Sequence, residues 1–186
     1  MRRKDREITD RAEIESILNE AMVCRIGLAD GGEPYVVPIS FGYEGGEVYL
    51  HSALEASKNL PGTLKTFRSS RISSLMTFDT SPVSSLAGLD GKKITMIRKN
   101  PRCCFEVDIC DQVIRNDRPC SWGMRFRSVI GYGSAVILED PGEKRHGLNC
   151  IMQHYSGGTR EFSDTDLASV MVIRIRIESI TGKKHD

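Results

Sequence analysis

Hydrophobic residues recur along this chain with two different periods, and these periods predict helices and strands in a definite order. A first helix is predicted from Arg11 to Met22, where Asp10 and Glu13 form a capping box. Its apolar face follows the three- and four-residue spacing of a helix and consists of Ile14, Ile17, Leu18 and Ala21.

Six strands are predicted from runs of β-branched and aromatic residues that lie between turn signals. Turns are indicated at Asp30-Gly31-Gly32 and at Gly45-Gly46, because glycine tolerates positive φ. The first three strands, joined by short connections, are expected to form an antiparallel meander. The six predicted strands span residues 23–28, 35–43, 47–52, 102–109, 128–138 and 170–177.

Two more helices interrupt the strands. One, at about residues 94–99, ends before Pro101, and the other begins at Asp140-Pro141 with an N-cap and a proline at the first position. Gly157-Gly158 ends this last helix, whose apolar face consists of Leu148, Ile151, Met152 and Tyr155. Six strands, three helices and hairpin connections predict a mostly β (α+β) fold, in which helices pack around a small antiparallel barrel.

Residues 55–89 break this regularity. They contain eight serines, Pro61 and Pro82, and they follow neither period. A stretch of this length without regular structure is uncommon inside a compact domain. We therefore expect residues 1–186 to form one domain with an inserted serine-rich excursion, which is either a surface segment or a lid.

Composition narrows the class of protein. The chain has 186 residues and a formal net charge of +1, which implies no strong field for nucleic acid or a membrane surface. No apolar run approaches the roughly 20 residues of a membrane span, and the charged start lacks a signal segment, so a soluble cytoplasmic protein is expected. The six cysteines form no CxxC pair and have no histidine at zinc spacing, so reduced thiols and no metal site are expected.

Two polar clusters are candidates for a ligand site. The strand at 47–52 ends in His51-Ser52-Ala53, where an apolar run gives way to hydrogen-bonding groups. Asp90-Gly91-Lys92-Lys93 places two ammonium groups at a helix start, which is a favourable place for a phosphate. The alternatives are an ordinary surface histidine and a solvated basic turn. No P-loop, dinucleotide fingerprint, HExxH or GxSxG motif is present.

An ordered set of segments resembles the pyridoxamine 5′-phosphate oxidase-like, FMN-binding split-barrel proteins, and more closely their Nim-type branch, which is related to 5-nitroimidazole resistance. The similarity covers nearly all of the chain except residues 55–89. The matching segments are YVVPISFGY at 35–43, VYLHSA at 48–53, GKK at 91–93, NPRCCFEV at 100–107, Trp122, RSVIGYG at 127–133 and ITGK at 180–183.

This resemblance implies a six-stranded split barrel with about three flanking helices that forms a homodimer, with FMN at the subunit interface. Trp122 would approach the flavin from a loop, across the dimer. Lys92 and Lys93 would hold the phosphate. The rest of the implied pocket consists of Val37, Pro38 and Ile39 along the isoalloxazine, His51, Ser52 and Ala53 at the flavin and its ribityl chain, and Ser128 with Val129 completing it.

The chain departs from the family pattern in two places. The insertion separates His51-Ser52-Ala53 from Lys92 and Lys93, which makes Lys58 a rival phosphate ligand. The arginine- and histidine-rich C-terminal substrate motif of the true pyridoxamine phosphate oxidases is absent, so vitamin B6 oxidation is not expected.

The function implied by the resemblance is a flavin-dependent oxidoreductase. FMN would pass electrons from NAD(P)H to a small acceptor, for example a nitroaromatic compound. His51 would donate a hydrogen bond or a proton near the flavin edge, since its ordinary pKa is about 6.5. The alternative is a flavin- or haem-binding module without turnover.

Overall fold

An antiparallel sheet of eight strands organises this protein in a computed structural model, which describes residues 3–53 and 91–185. Short 3-10 turns precede the first strand and lie between the sixth and seventh strands. The elements in chain order are β1 (Glu7–Ile8), α1 (Arg11–Glu20), β2 (Cys24–Asp30), β3 (Glu33–Ile39), β4 (Phe41–Glu44), β5 (Glu47–Ala53), α2 (Lys92–Lys99), β6 (Arg102–Ile114), β7 (Gly123–Leu138), α3 (Pro141–Ser156), α4 (Asp164–Ala168) and β8 (Val170–His185).

The order of the strands shows that the sheet curls into a barrel. The order is β3-β2-β6-β7-β8-β5-β4, and β1 adds to β8. In a flat sheet, β3 and β4 would lie about 29 Å apart, at about 4.8 Å per neighbouring pair. Only Ser40 separates them in the chain, so the ends of these two strands lie within about 8 Å of each other. The sheet therefore closes on itself, and the closure point lies between β3 and the β4–β5 hairpin.

The mostly β, α+β class is confirmed, and two details of the prediction are wrong. The run 35–43 is not one strand of a meander, because Ser40 divides it into β3 and β4 at opposite ends of the sheet order. The short helix α4 was missed, although a reciprocal capping box between Ser163 and Asp166 marks its start. Together with β1, whose Ile8 pairs with Gly182, the division of 35–43 raises the strand count from six to eight.

Helices close both ends of the barrel interior. Ile17 and Leu18 of α1 are fully buried in the same apolar cluster as Ile94 and Ile97 of α2, and Phe105 of β6 lies in this cluster too. The third helix, α3, packs outside the barrel on β4, β5 and β8. A second apolar cluster forms there from Tyr49, Leu138, Leu148, Ile151, Leu167 and Val172.

The opposite flank of the barrel exposes apolar side chains. Val36 of β3 and Tyr132 of β7 lie in one cross-strand row, with Gly27 and Cys104 between them. Val36 is 65% exposed and Tyr132 is 52% exposed. Ile130 and Val136 project from the same face of β7 and are also exposed.

Close contact between α3 and β4 depends on Gly42. A Cβ at this position would lie 2.5 Å from the carbonyl carbon of Cys150 and 2.7 Å from the backbone nitrogen of Ile151. We expect Gly42→Ala to lower the free energy of unfolding by about 2–3 kcal/mol, because two backbones must move apart. In the matched control Gly158→Ala, the new Cβ would meet only Arg160 Nη1 at 3.6 Å. Equal urea midpoints for the two variants would contradict this packing.

Candidate functional site

The N-terminus of α2 lies where the two ends of the sheet meet. Lys92 reaches β3, with its Nζ 3.8 Å from a Glu33 carboxylate oxygen and 5.1 Å from the centre of the Tyr35 ring. Lys93 is close enough to His51 on β5 for its charge to lower the pKa of that imidazole. Two neighbouring ammonium groups therefore face opposite sides of the barrel closure.

The charge of Lys93 lowers the stability of the folded chain. Its side chain is half-buried, and this burial lowers the pKa of the ammonium group to about 8. A nearby anion would relieve the cost, because an opposite charge favours the charged form of a lysine.

The backbone at the start of α2 adds donors to the two lysines. Gly91 is the N-cap and has no side chain to cap the helix, and the first N–H groups of a helix have no intrahelical acceptor. Among the described residues, nothing lies within 4 Å of the place that a Cβ on Gly91 would occupy. Two ammonium groups and the first N–H groups of the helix form a donor set that fits a phosphate group.

His51 lies at the end of β5, opposite Val172 of β8. Burial is the main cause of its lowered pKa, and the charge of Lys93 adds to the effect. The imidazole is therefore neutral at neutral pH, and a neutral imidazole offers one donor and one acceptor nitrogen. Ser52 is half-buried opposite Met171, and Ala53 is exposed.

The β3 residues of the predicted pocket point in alternating directions. Val37 and Ile39 are half-buried and pack against the barrel core. Pro38 is exposed on the outer face, opposite Arg25. Only Pro38 of these three residues therefore presents its side chain to the outside of the barrel.

Ser128 and Val129 lie far from His51 within one chain. They pair with Lys183 and Gly182 of β8, whereas His51 pairs with Val172 of the same strand. This separation of 10 to 11 residues corresponds to about 35 Å of strand at about 3.3 Å per residue. The side chain of Val129 is fully buried in the barrel core.

Trp122 follows the 3-10 turn Pro119–Ser121 and is 53% exposed. Its indole nitrogen donates a hydrogen bond of 2.7 Å to the carbonyl oxygen of Asn116, which fixes the ring on the β6–β7 loop. One chain thus gathers Lys92, Lys93, His51, Ser52 and Ala53, but not Ser128, Val129 or Trp122. The rival ligand Lys58 lies outside the described residues.

Two contacts of this site were missed in the sequence. Glu33 and Tyr35 hold Lys92 on β3, although Tyr35 stands in a segment already singled out. Glu33 and Tyr35 could have been paired from the sequence, because residues i and i+2 of a strand lie on the same face.

Comparison with known proteins identifies the family. The family model described as pyridoxamine 5′-phosphate oxidase matches residues 10–81 and 82–184, and the chain belongs to that family. A candidate 5-nitroimidazole antibiotic resistance protein from Bacteroides thetaiotaomicron VPI-5482 is 31% identical, with a TM-score of 0.68 over 95% of this chain and 85% of that one. No curated protein matches the chain.

More distant structures share the fold alone. The FAD and heme binding protein from Mycobacterium smegmatis is 16% identical, with a TM-score of 0.72 over 97% of this chain and 74% of that one. A FAD-binding protein from Mesorhizobium loti is 22% identical, with a TM-score of 0.60 over 97% of this chain and 98% of that one. In the described part of this chain, no helix is long and apolar enough to cross a membrane.

The buried charge of Lys93 predicts a stabilised variant. Lys93→Met keeps an unbranched apolar chain and removes the charge, so we expect a gain of about 1–2 kcal/mol in the free energy of unfolding at pH 7, discounted because the ammonium is partly solvated. The folded-state pKa lies near 8 and the ordinary value is 10.5. The gain should therefore be complete below pH 8 and should shrink as the pH rises towards 10.5, where the unfolded chain also loses this proton.

Lys99→Met is the matched control for this stability measurement. Lys99 lies at the other end of α2 and forms a surface ion pair of 2.9 Å with Asp30, so its removal should change stability by less than about 1 kcal/mol at any pH. Chemical denaturation at several pH values measures both variants. A destabilised Lys93→Met protein at pH 7 would contradict the account of a costly charge.

Proposed function

We propose that this protein binds FMN with its phosphate at the N-terminus of α2, and that it is a flavin-dependent oxidoreductase passing electrons from NAD(P)H to a small acceptor. The observation that carries the proposal is the half-buried ammonium of Lys93 beside His51 at a helix start, where no described residue lies within 4 Å of a Cβ built on Gly91. Among the described residues, no carboxylate forms an ion pair with Lys93, whereas Lys92 and Lys99 each have one nearby. A half-buried charge of this kind favours binding of an anion.

Each group at the helix start has a distinct task in binding. Lys93 supplies a desolvated charge, and charge-assisted hydrogen bonds to phosphate are among the stronger kinds. Lys92 has a long contact with the exposed Glu33 and a cation–π contact with Tyr35, both weak at an exposed site, so it can turn from β3 to the phosphate at little cost. The N–H groups at the helix start would orient the phosphate, because they point along the helix axis towards it.

In this proposal His51 acts near the flavin rather than at the phosphate. A bound flavin supplies hydride acceptance and electron release, and the protein supplies position and electrostatics. The neutral imidazole can donate a hydrogen bond from one ring nitrogen and accept a hydrogen bond at the other. Burial, and to a smaller extent the charge of Lys93, lowers the pKa of His51, so the imidazole is in the neutral form at physiological pH.

The full pocket is proposed to form between two copies of the chain. Ser128, Val129 and Trp122 lie far from His51 within one chain, so a second copy is needed to bring them to the same flavin. The exposed flank with Val36, Ile130 and Tyr132 offers the apolar surface for such a homodimer. Large exposed apolar patches of this kind commonly mark interfaces.

Loss of the Lys93 charge should weaken FMN binding through its phosphate alone. We expect Lys93→Met to raise the Kd for FMN roughly 10- to 100-fold, since hydrogen bonds to charged groups contribute about 1.5–3 kcal/mol. Affinity for riboflavin, which lacks the phosphate, should not change. Fluorescence titration of the flavin measures both ligands, and Lys99→Met serves again as the control at the far end of α2.

Two outcomes would contradict the proposal that Lys92 and Lys93 bind the phosphate of FMN. One is an equal loss of affinity for FMN and riboflavin in Lys93→Met. The other is wild-type affinity for FMN in a protein that lacks both the Lys92 and the Lys93 charges.

The proposed dimer can be tested on the exposed flank. Tyr132→Glu should shift the sedimentation coefficient from that of a dimer to that of a monomer, because a carboxylate would be buried in an apolar interface. Met22→Glu is the control, since Met22 is 61% exposed on the α1–β2 link, away from this flank. A wild-type protein that is monomeric and still binds FMN tightly would contradict the shared pocket.

A further inference from the structure

The last turn of α3 holds the point at which the barrel closes. β4 is the last strand in the sheet order, so one of its edges has no strand partner among the described residues. The backbone N–H of Phe41, the first residue of β4, instead donates a hydrogen bond of 3.1 Å to the hydroxyl of Tyr155. That hydroxyl donates 2.9 Å to the carbonyl oxygen of Met22, on the link between α1 and β2. One oxygen atom of α3 thus joins two separate links of the chain.

His154 holds the same junction from the neighbouring position. Its Nε2 lies 2.8 Å from the carbonyl oxygen of Ala21 and donates to it, because a carbonyl oxygen can only accept. The imidazole also lies between two rings, with its centre 4.6 Å from that of Phe41 and 4.6 Å from that of Tyr155. Phe41 is fully buried in the barrel core. These contacts fix the Tyr155 ring, and therefore the place of its hydroxyl.

The junction lies where the closure line begins. Phe41 pairs with Leu50 of β5, so the next position along both strands brings Ser40 to the level of His51. Beyond this level β3 pairs with β2, and β5 pairs with β8, so the two strands diverge. The direction in which the chain leaves Phe41 at Ser40 therefore sets the gap between β3 and β5.

The Tyr155 hydroxyl keeps its proton over a wide range of pH. Burial raises the pKa of this phenol, and the neighbouring Phe41 N–H and Ser40 side chain offset only part of that effect. A protonated phenol can donate one hydrogen bond and accept others, which is the arrangement seen between Met22 and Phe41. The junction is therefore intact at neutral pH.

We propose that Tyr155 is a positioning residue of the flavin site, which replaces the missing strand partner of Phe41 and thereby sets the gap between β3 and β5. Without the hydroxyl, the N–H of buried Phe41 would lose its acceptor, and an unpaired buried backbone group is unfavourable. The chain at Ser40 would then no longer be held in one direction. The role rests on the proposed function, because the last residues of β3 are those expected along the isoalloxazine.

This role differs from that of the lysines in the part of the flavin that it affects. Lys93 would act on the phosphate, which riboflavin lacks. Tyr155 would act through β3 on the isoalloxazine, which FMN and riboflavin share. A change at Tyr155 should therefore weaken both ligands by the same factor, whereas Lys93→Met should weaken FMN alone.

Tyr155→Phe tests the role, because it keeps the ring and removes one oxygen. In the flavin-free, full-length protein, we expect the Phe41 amide to exchange with deuterium about tenfold faster than in the wild type, as loss of one hydrogen bond would give. The Kd values for FMN and for riboflavin should each rise about tenfold. At saturating FMN, the visible circular dichroism of the bound flavin should also change, because the isoalloxazine would sit differently against β3.

Tyr43→Phe is the matched control. The Tyr43 hydroxyl also lies on β4, two residues after Phe41, and donates 3.1 Å to Glu15 of α1. Its removal costs a similar hydrogen bond, but it should leave the Phe41 exchange rate, both Kd values and the flavin dichroism unchanged. The same changes in both variants would show general loosening of the barrel and would overturn the role of Tyr155.

Two further results would overturn the proposal. One is an unchanged Phe41 exchange rate in Tyr155→Phe, or, if that variant does not fold, an unprotected Phe41 amide in the wild type. The other is faster exchange in Tyr155→Phe with wild-type flavin affinity and dichroism, which would leave Tyr155 as a structural contact only. A wild-type protein that binds neither flavin would instead refute the proposed function, and the role of Tyr155 in a flavin site would fall with it.

Discussion

The structure depends on one covalent constraint, the single residue Ser40 between β3 and β4. These strands occupy the two ends of the sheet order, and a one-residue link forces the ends together. The sheet must therefore curl, and the curl creates an interior that α1 and α2 fill from its two ends. It also creates a closure line between β3 and the β4–β5 hairpin, across which the strands of the described residues do not pair. The proposed phosphate site lies on this line.

The electrostatics of the site follow from that position. A lysine at the start of α2 is drawn partly out of water because the helix must bury Ile94, Met96 and Ile97 in the barrel. Packing thus fixes the backbone of α2, and the backbone fixes where the charge of Lys93 lies. The apo protein is less stable for it, and an anionic ligand would recover that free energy on binding. Functional sites commonly lower the stability of the free protein in this way and recover the free energy when the ligand binds.

Local signals predicted most of the fold. The caps at Asp10 and Asp140 set the starts of α1 and α3, because capping depends on residues a few positions apart. The break at Ser40 could not be read in this way, since apolar and aromatic residues continue through it and its cause is the closure of a whole sheet. The full lengths of β6, β7 and β8 were also missed, because their ends are rich in charged and polar residues and are ordered by pairing with each other. The site was predicted in parts. Lys93 does lie near His51, and Lys92 beside it contacts β3 instead. Ser128 and Val129 lie on β7, opposite a distant part of β8. The sequence carries no local signal for which parts of the proposed pocket a second copy of the chain would supply.

The central claim is that the closure line of this barrel holds a flavin through its phosphate. The absorption spectrum of the full-length protein as purified, followed by identification of the released chromophore, tests this most directly. The account predicts the two visible-region bands of a flavin and the release of FMN on denaturation. A haem Soret band in their place, or a colourless protein that takes up no FMN when it is supplied, would contradict it.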